Sequence, residues 1–199
     1  MAKNSADDPS GSDSSGGGGS LHAPWRMEYI RSLQKPDASA ASAASGAGDC
    51  FICQAAQAAS AAERAQRLVL WTTEQSVVLI NRFPYTNGHL LIAPRAHLAD
   101  LELLSDAQAL DLQLQTTRAV KLLKRAMSPQ GFNIGINVGR VAGAGVPGHI
   151  HQHVVPRWGG DTNFMSVVGN VRVVPQAMEQ LYEELMREAQ PENGDIVPK

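Results

Sequence analysis

A chain of 199 residues, 43% of them hydrophobic, holds enough apolar side chains for one domain core with appendages. Its 17 basic and 19 acidic residues leave a formal net charge of -2, which excludes the broad cationic field that binds polymeric nucleic acid. No run approaches the roughly 18 apolar residues that span a bilayer, and the polar start lacks the basic and apolar regions of a secretion signal, so a cytoplasmic protein without a membrane partner is expected.

Residues 1–20 are almost wholly Ser, Gly, Asp and Ala and end in Gly16-Gly17-Gly18-Gly19-Ser20. They cannot bury enough apolar area to offset their ordering entropy, and a disordered tail is expected. An apolar and aromatic patch from Leu21 to Ile30, with Trp25, Met27 and Tyr29, reads as a docking segment, and an Ala/Ser/Gly linker completes the unit 21–48. The folded domain is placed at 49–190 and a flexible C-terminus at 191–199. Cys50-Phe51-Ile52-Cys53 opens the domain; in a reducing compartment this pair points to metal or redox chemistry before a structural disulfide.

Ser60 to Gln66 reads as a helix. Leu68 to Trp71 and Val77 to Ile80 read as two strands parted by a polar turn at Thr73 to Gln75, and a Pro-containing turn from Asn81 to Pro84 leads into a third, His89 to Ala93, closed by Pro94. Ser105 and Gln108 have the spacing of a capping box, and the helix they open runs to Met127 before Pro129 stops it. Leu112, Ala119, Leu122, Leu123 and Ala126 form its core stripe; Leu110 and Leu114 lie roughly opposite, and a subunit partner is the natural use for that surplus. Phe132 to Val138 and His149 to Pro156 are two more strands, joined by the loop Gly139 to Gly148 with four glycines and one proline, and Gln176 to Ala189 resembles a charged C-terminal helix. The sum is the α+β class, an antiparallel sheet of about five strands with one long helix across it and a C-terminal helix.

The chemistry concentrates in His149-Ile150-His151-Gln152-His153-Val154-Val155-Pro156-Arg157-Trp158. In a strand of period two, His149, His151 and His153 share one face, each about 6.6 Å from the next. Neutral imidazole is a competent nucleophile and also a proton donor, so such a row can supply both attack and acid assistance. The glycine-rich loop before it can offer backbone N–H groups to an anion. Together these describe phosphate chemistry, although a His-rich tract can also be a metal site.

His149 to Val155 matches the His-x-His-x-His pattern of the histidine triad (HIT) superfamily, and Asn81-Arg82-Phe83-Pro84-Tyr85-Thr86-Asn87-Gly88-His89, continuing to His97, resembles that superfamily's upstream signature. The resemblance runs from about Cys50 to Trp158. It narrows to bacterial proteins resembling ATP adenylyltransferases, or diadenosine tetraphosphate phosphorylases, through Ala23 to Ile30 and Val155 to Phe164. It implies a HIT-like fold, a homodimer, and a nucleotide substrate attacked by His151, with a covalent nucleotidyl-histidine intermediate. His153 would contact the phosphate and the bridging or leaving oxygen as the acid. Asn81 would bind ribose hydroxyls, although an Asn there can also simply form a turn. Asn137 and the loop containing Gly143, Ala144 and Gly145 would line the phosphate side, with His149 also near the substrate; Trp158 would stack on the second nucleoside, cap the cleft or only pack. Many relatives carry a Ser, or a Gln followed by Ser or Thr, where this chain has Ala144-Gly145, which leaves more of the phosphate binding to backbone amides.

In superfamily members that carry zinc the ligands fall on Cys50, Cys53, His97 and His149, a donor set of the number and type that tetrahedral zinc takes. Such a site would be structural. His89 reads either as support beneath the site or as packing. Phosphorolysis of a dinucleoside polyphosphate of the diadenosine tetraphosphate class is the expected activity. A hydrolase or nucleoside phosphoramidase is the alternative within the same chemistry, and a non-catalytic nucleotide-binding or zinc-scaffold protein the alternative outside it.

Overall fold

The computed structural model describes residues 48–161 and 176–189. The expected tail 1–20, nearly all of the docking unit 21–48, Thr162 to Phe164 and the C-terminus 191–199 lie outside the described residues.

Five strands form one antiparallel sheet: β1 Val69–Thr72, β2 Ser76–Ile80, β3 Leu90–Pro94, β4 Gly131–Ile136 and β5 Gln152–Arg157, in the order β1-β2-β3-β5-β4. β2 and β3 are buried along their whole length, because both faces of the sheet are covered. On one face, Val78, Ile80, Leu90, Ile92 and Val154 meet the long helix α3, Asp106–Met127, through Leu112, Ala119, Leu122 and Leu123, and the last helix α4, Met178–Glu188, through Leu181 and Leu185. On the other, Val69, Val77, Leu79, Leu91 and Ala93 pack on a six-residue helix, α1 Phe51–Ala56, that carries Cys53 and Ile52. The two sets alternate along each strand, as the pleat requires.

Both capping signals are met. Ser60 caps α2, Ala61–Gln66, and Ser105 caps α3, each hydroxyl accepting from the N3 amide while Glu63 or Gln108 reaches back to the cap amide. α3 ends at Ser128, whose φ of 47° is the left-handed conformation that closes helices. Ser105→Ala is expected to cost about 1 kcal/mol, read as a shift in the urea midpoint with unchanged slope; no shift would mean the cap contributes nothing. Leu110 and Leu114 are exposed as expected, at 62% and 56%. Among the described residues no helix is long and apolar enough to cross a membrane.

The structure corrects one boundary. The strand expected from His149 to Pro156 begins only at Gln152, so His153 alone of the three histidines lies in the ladder. Continuing the β3–β5 register past Ile92↔Gln152 would bring Pro94 against Ile150. Pro94 has no N–H to give the ladder, and Ile150 instead donates to the carbonyl of Leu98, 2.6 Å away.

Candidate active site

That early departure of the chain separates the triad into two parts. His149 turns toward the cysteines, its ring centroid 5.1 Å from that of His97, while the His151 and His153 rings lie 5.0 Å apart. The single wall of three equivalent rings is therefore replaced by one buried ring facing the cysteines and one neighbouring pair.

The hydrogen bonds assign the protons of the pair. Nδ1 of His151 lies 2.8 Å from the carbonyl oxygen of His149. A carbonyl only accepts, so Nδ1 carries the hydrogen and Nε2 keeps its lone pair. Burial holds His151 below the ordinary imidazole range, offset in part by that bond, so at neutral pH its ring is neutral with Nε2 nucleophilic. The proton of His153 is set through His89 by the Tyr85 amide. The backbone N–H of Tyr85 donates to Nδ1 of His89 at 3.1 Å, and the Asn81 amide nitrogen is 3.3 Å from the same atom. Nδ1 of His89 is thus an acceptor, and its Nε2–H donates to Nδ1 of His153 at 2.9 Å. That leaves Nε2 of His153 bearing a hydrogen, and this atom is buried with no hydrogen-bond partner among the described residues. A buried donor without a partner is costly, and it stands beside His151. Burial, and then the neighbouring His151, push His153 down to about 4.

His89 is fully buried, and the glycine before it makes room: Gly88 has φ +77°, and a Cβ there would come within 2.7 Å of the Met127 sulfur. His89→Phe keeps a ring but removes the donor that orients His153. It is expected to lower kcat about 10²-fold with KM nearly unchanged, in steady-state kinetics; equal loss in kcat/KM through KM alone would reduce His89 to packing.

The other expected site residues are placed as follows. Asn81 follows β2 beside His89, its side chain also accepting from the Phe83 amide at 3.0 Å. Asn137 follows Ile136, which pairs with Gln152, so one more step of register puts it opposite His151; its amide nitrogen is 3.5 Å from the Gly143 carbonyl. The Gly143 and Ala144 amides, expected to face phosphate, close the loop's own turns onto the carbonyls of Arg140 and Gly139. Trp158 lies past the far end of β5, five residues from His153 and hence about 16 Å along the strand, so one copy of the chain does not bring it to the triad. Sequence reasoning missed Tyr85, whose amide fixes His89 and whose ring lies 5.7 Å from that of His153. It also missed Phe51. This residue is 43% exposed between the two cysteines and, with Leu79, Ile80, Asn81, Arg67 and Arg82, lines a cavity of about 370 Å³.

Cys50, Cys53, His97 and His149 present one donor atom each, all within 4.8 Å of one another. His149 is fully buried, and its Nε2–H donates to the Pro94 carbonyl at 2.8 Å, which turns the Nδ1 lone pair onto the sulfurs of Cys50 and Cys53 at 3.3 and 3.4 Å. Both nitrogens are thereby committed, and the ring has none to offer a substrate. His97 Nδ1 lies 3.1 Å from the Cys53 sulfur. These separations approach the edges of about 3.3–3.8 Å of a tetrahedron with zinc's bond lengths. Burial, and then Cys50, push the Cys53 thiol up to about 11, a cost that a bound dication reverses. The donor set therefore fits zinc.

Comparison with known proteins places the motif and the fold in a family. Residues 62–160 match the HIT domain family. A Mycobacterium tuberculosis protein named AP-4-A phosphorylase is 41% identical over 100 residues, 50% of this chain and 51% of that protein, so the chain matches about half the length of this curated relative. An uncharacterized HIT-like protein of Methanocaldococcus jannaschii is 31% identical over 93 residues, 47% of this chain and 70% of that protein. A zinc-bound histidine triad family protein from Mycobacterium smegmatis superposes with a TM-score of 0.59 at 27% identity, covering 75% of this chain and all of that one. By motif, by fold and by these relatives, the chain belongs to the HIT domain family.

Proposed function

We propose that this domain transfers a nucleotidyl group from a dinucleoside polyphosphate of the diadenosine tetraphosphate class, through a covalent intermediate on His151. The hydrogen bond from Nδ1 of His151 to the His149 carbonyl carries the proposal, because it leaves Nε2 unprotonated next to the unpartnered N–H of His153. Nε2 of His151 attacks the phosphorus next to the ribose, a P–N bond forms, and the bond to the polyphosphate oxygen breaks. The ring becomes cationic and its Nδ1–H bond to the carbonyl strengthens. The His153 N–H donates to the departing oxygen as negative charge develops there. An oxygen of inorganic phosphate, or of water, then attacks the same phosphorus and returns the electron pair to Nε2. Asn81 and Asn137 flank this point, with the base in the cavity lined by Phe51.

A metal at Cys50, Cys53, His97 and His149 would supply structure: gripping the His149 ring fixes the peptide whose carbonyl orients His151. A homodimer belongs to the same reading. β4 is an edge strand, its exposed Ile134 shares a face with Val154, and that face also carries α3 with Leu110 and Leu114. Leu110→Lys combined with Leu114→Lys is expected to convert a dimer to a monomer in sedimentation analysis; an unchanged mass would remove α3 from the interface.

The deciding experiment incubates the full chain with diadenosine tetraphosphate, with and without phosphate. ADP plus ATP supports phosphorolysis, the favoured outcome. AMP plus ATP supports hydrolysis. No product, from this polyphosphate or from its diguanosine counterpart, overturns the reading.

A further inference from the structure

The chemistry at phosphorus uses one end of the site; the other end carries two arginines it does not absorb. Across the sheet, His153 in β5, His89 before β3, Asn81 after β2 and Arg67 before β1 follow one another, the Ile80 amide bonding the Leu68 carbonyl at 2.9 Å. Neighbouring strands are about 4.8 Å apart, so the row spans about 14 Å. A nucleotide with its phosphorus at His151 and its ribose at Asn81 therefore directs its base toward Arg67.

The wall there is rich in donors and short of acceptors. Arg67 donates through Nη1 to the Gln54 side-chain oxygen at 2.7 Å, and Gln54 in turn donates to the Gly48 carbonyl at 2.9 Å. This chain tethers the guanidinium through one nitrogen, and among the described residues no hydrogen bond occupies its Nε/Nη2 edge. Arg82 donates to the Gln66 carbonyl at 2.9 Å. The acceptors at hand, Gln54 Oε1, the Gln66 carbonyl and Asn81 Oδ1, already receive hydrogen bonds. Among the described residues no carboxylate lines the cavity, and Gln66, the one further side-chain acceptor among them, is exposed at the end of α2. Leu68 beside Arg67 holds φ 58°, the left-handed conformation that closes α2, its amide bonding the Ala65 carbonyl at 3.1 Å, and this sets where Arg67 leaves the helix. Phe51, Leu79 and Ile80 supply apolar surface for a ring.

Adenine presents an amino donor next to N7 and would need an acceptor. Guanine and hypoxanthine present O6 and N7, two acceptors in the spacing of a guanidinium edge. We propose that Arg67 reads the base and that the cavity selects a 6-oxopurine nucleotide over an adenine nucleotide. This rests on the nucleotidyl-transfer reading and names the substrate of that site.

The test compares diguanosine with diadenosine tetraphosphate as substrates, and GMP with AMP as ligands by calorimetry, for the full chain and its Arg67→Met and Arg67→Lys variants. The unmodified chain is expected to favour guanine about 5- to 150-fold, the range of one bidentate contact. Both variants should bring the ratio toward parity, the guanine substrate losing more than the adenine one; Arg67→Lys keeps the charge and loses the fork, and decides the matter if Arg67→Met does not fold. Equal handling of the two bases by the unmodified chain overturns the proposal. So does an equal loss on both substrates in the variants, which would put Arg67 on phosphate. If neither polyphosphate is cleaved but GMP outbinds AMP in an Arg67-dependent way, the reaction reading fails and the base assignment stands. Binding of neither nucleotide overturns both.

Discussion

His151→Asn is expected to lower the rate of polyphosphate cleavage by at least about 10⁴-fold, the scale seen when a nucleophile is removed from a preorganised site. The residual rate would come from the groups left behind. Asparagine is close to imidazole in its first atoms and can still donate to the His149 carbonyl, but it brings no nitrogen lone pair to phosphorus. His153, His89 and the cavity remain, so the dissociation constant for a mononucleotide should change little. Rapid mixing separates the steps: the unmodified chain should show a burst of first product and a labelled protein band, and the variant neither. Turnover equal to that of the unmodified chain would refute the nucleophile assignment. A full loss of nucleotide binding would instead show that His151 contributes to the pocket.

Cys50→Ser is expected to act on a different quantity. If zinc occupies the four-residue cluster, purified protein should hold one ion per chain and the variant close to none. Structural zinc contributes folding free energy directly, and the loss of several kcal/mol lowers the melting temperature by about 10 °C or more. Activity below that temperature should fall less than in His151→Asn. The linkage between the two runs through His149, whose ring meets both sulfurs and whose carbonyl holds the His151 ring. His151→Asn, in contrast, should keep its metal and its melting temperature. Unchanged zinc content in Cys50→Ser would end the zinc proposal, whatever happens to stability.

Much of this architecture was legible because it rests on local rules. Ser60 with Glu63 and Ser105 with Gln108 name their own helix starts, and both capping boxes form. The apolar runs at β1, β2 and β3 have no other stable use than a covered sheet. What escaped was non-local or carried by backbone atoms. Phe51–Ala56 is helical although six residues have little intrinsic tendency to be so; its form is set by the packing of Ile52, Ala55 and Ala56 against Val69, Val77 and Leu91. The start of β5 moved because an absent N–H on Pro94, distant in sequence, ends the ladder. Tyr85 matters through its amide, which no side-chain pattern reveals, and the proton positions of His89 and His153 follow from it. Arg67 reads from sequence as an ordinary charge after a helix. Only the juxtaposition of α1, α2 and the end of β2 makes it part of a cavity wall.

β3 is apolar on both sides, Leu90 and Ile92 facing α3 while Leu91 and Ala93 face α1. Hydrophobicity alone would tolerate sliding this strand by one position, since either pattern buries leucine and isoleucine. His89 forbids it. Displaced by one residue, its imidazole would point into the aliphatic layer beneath Leu122 and Leu123, with no amide from Tyr85 to accept and no ring to receive its proton. The residue that orients His153 thus doubles as a registration pin during folding, and misaligned chains are rejected by the same unmet hydrogen bonds that the native arrangement satisfies.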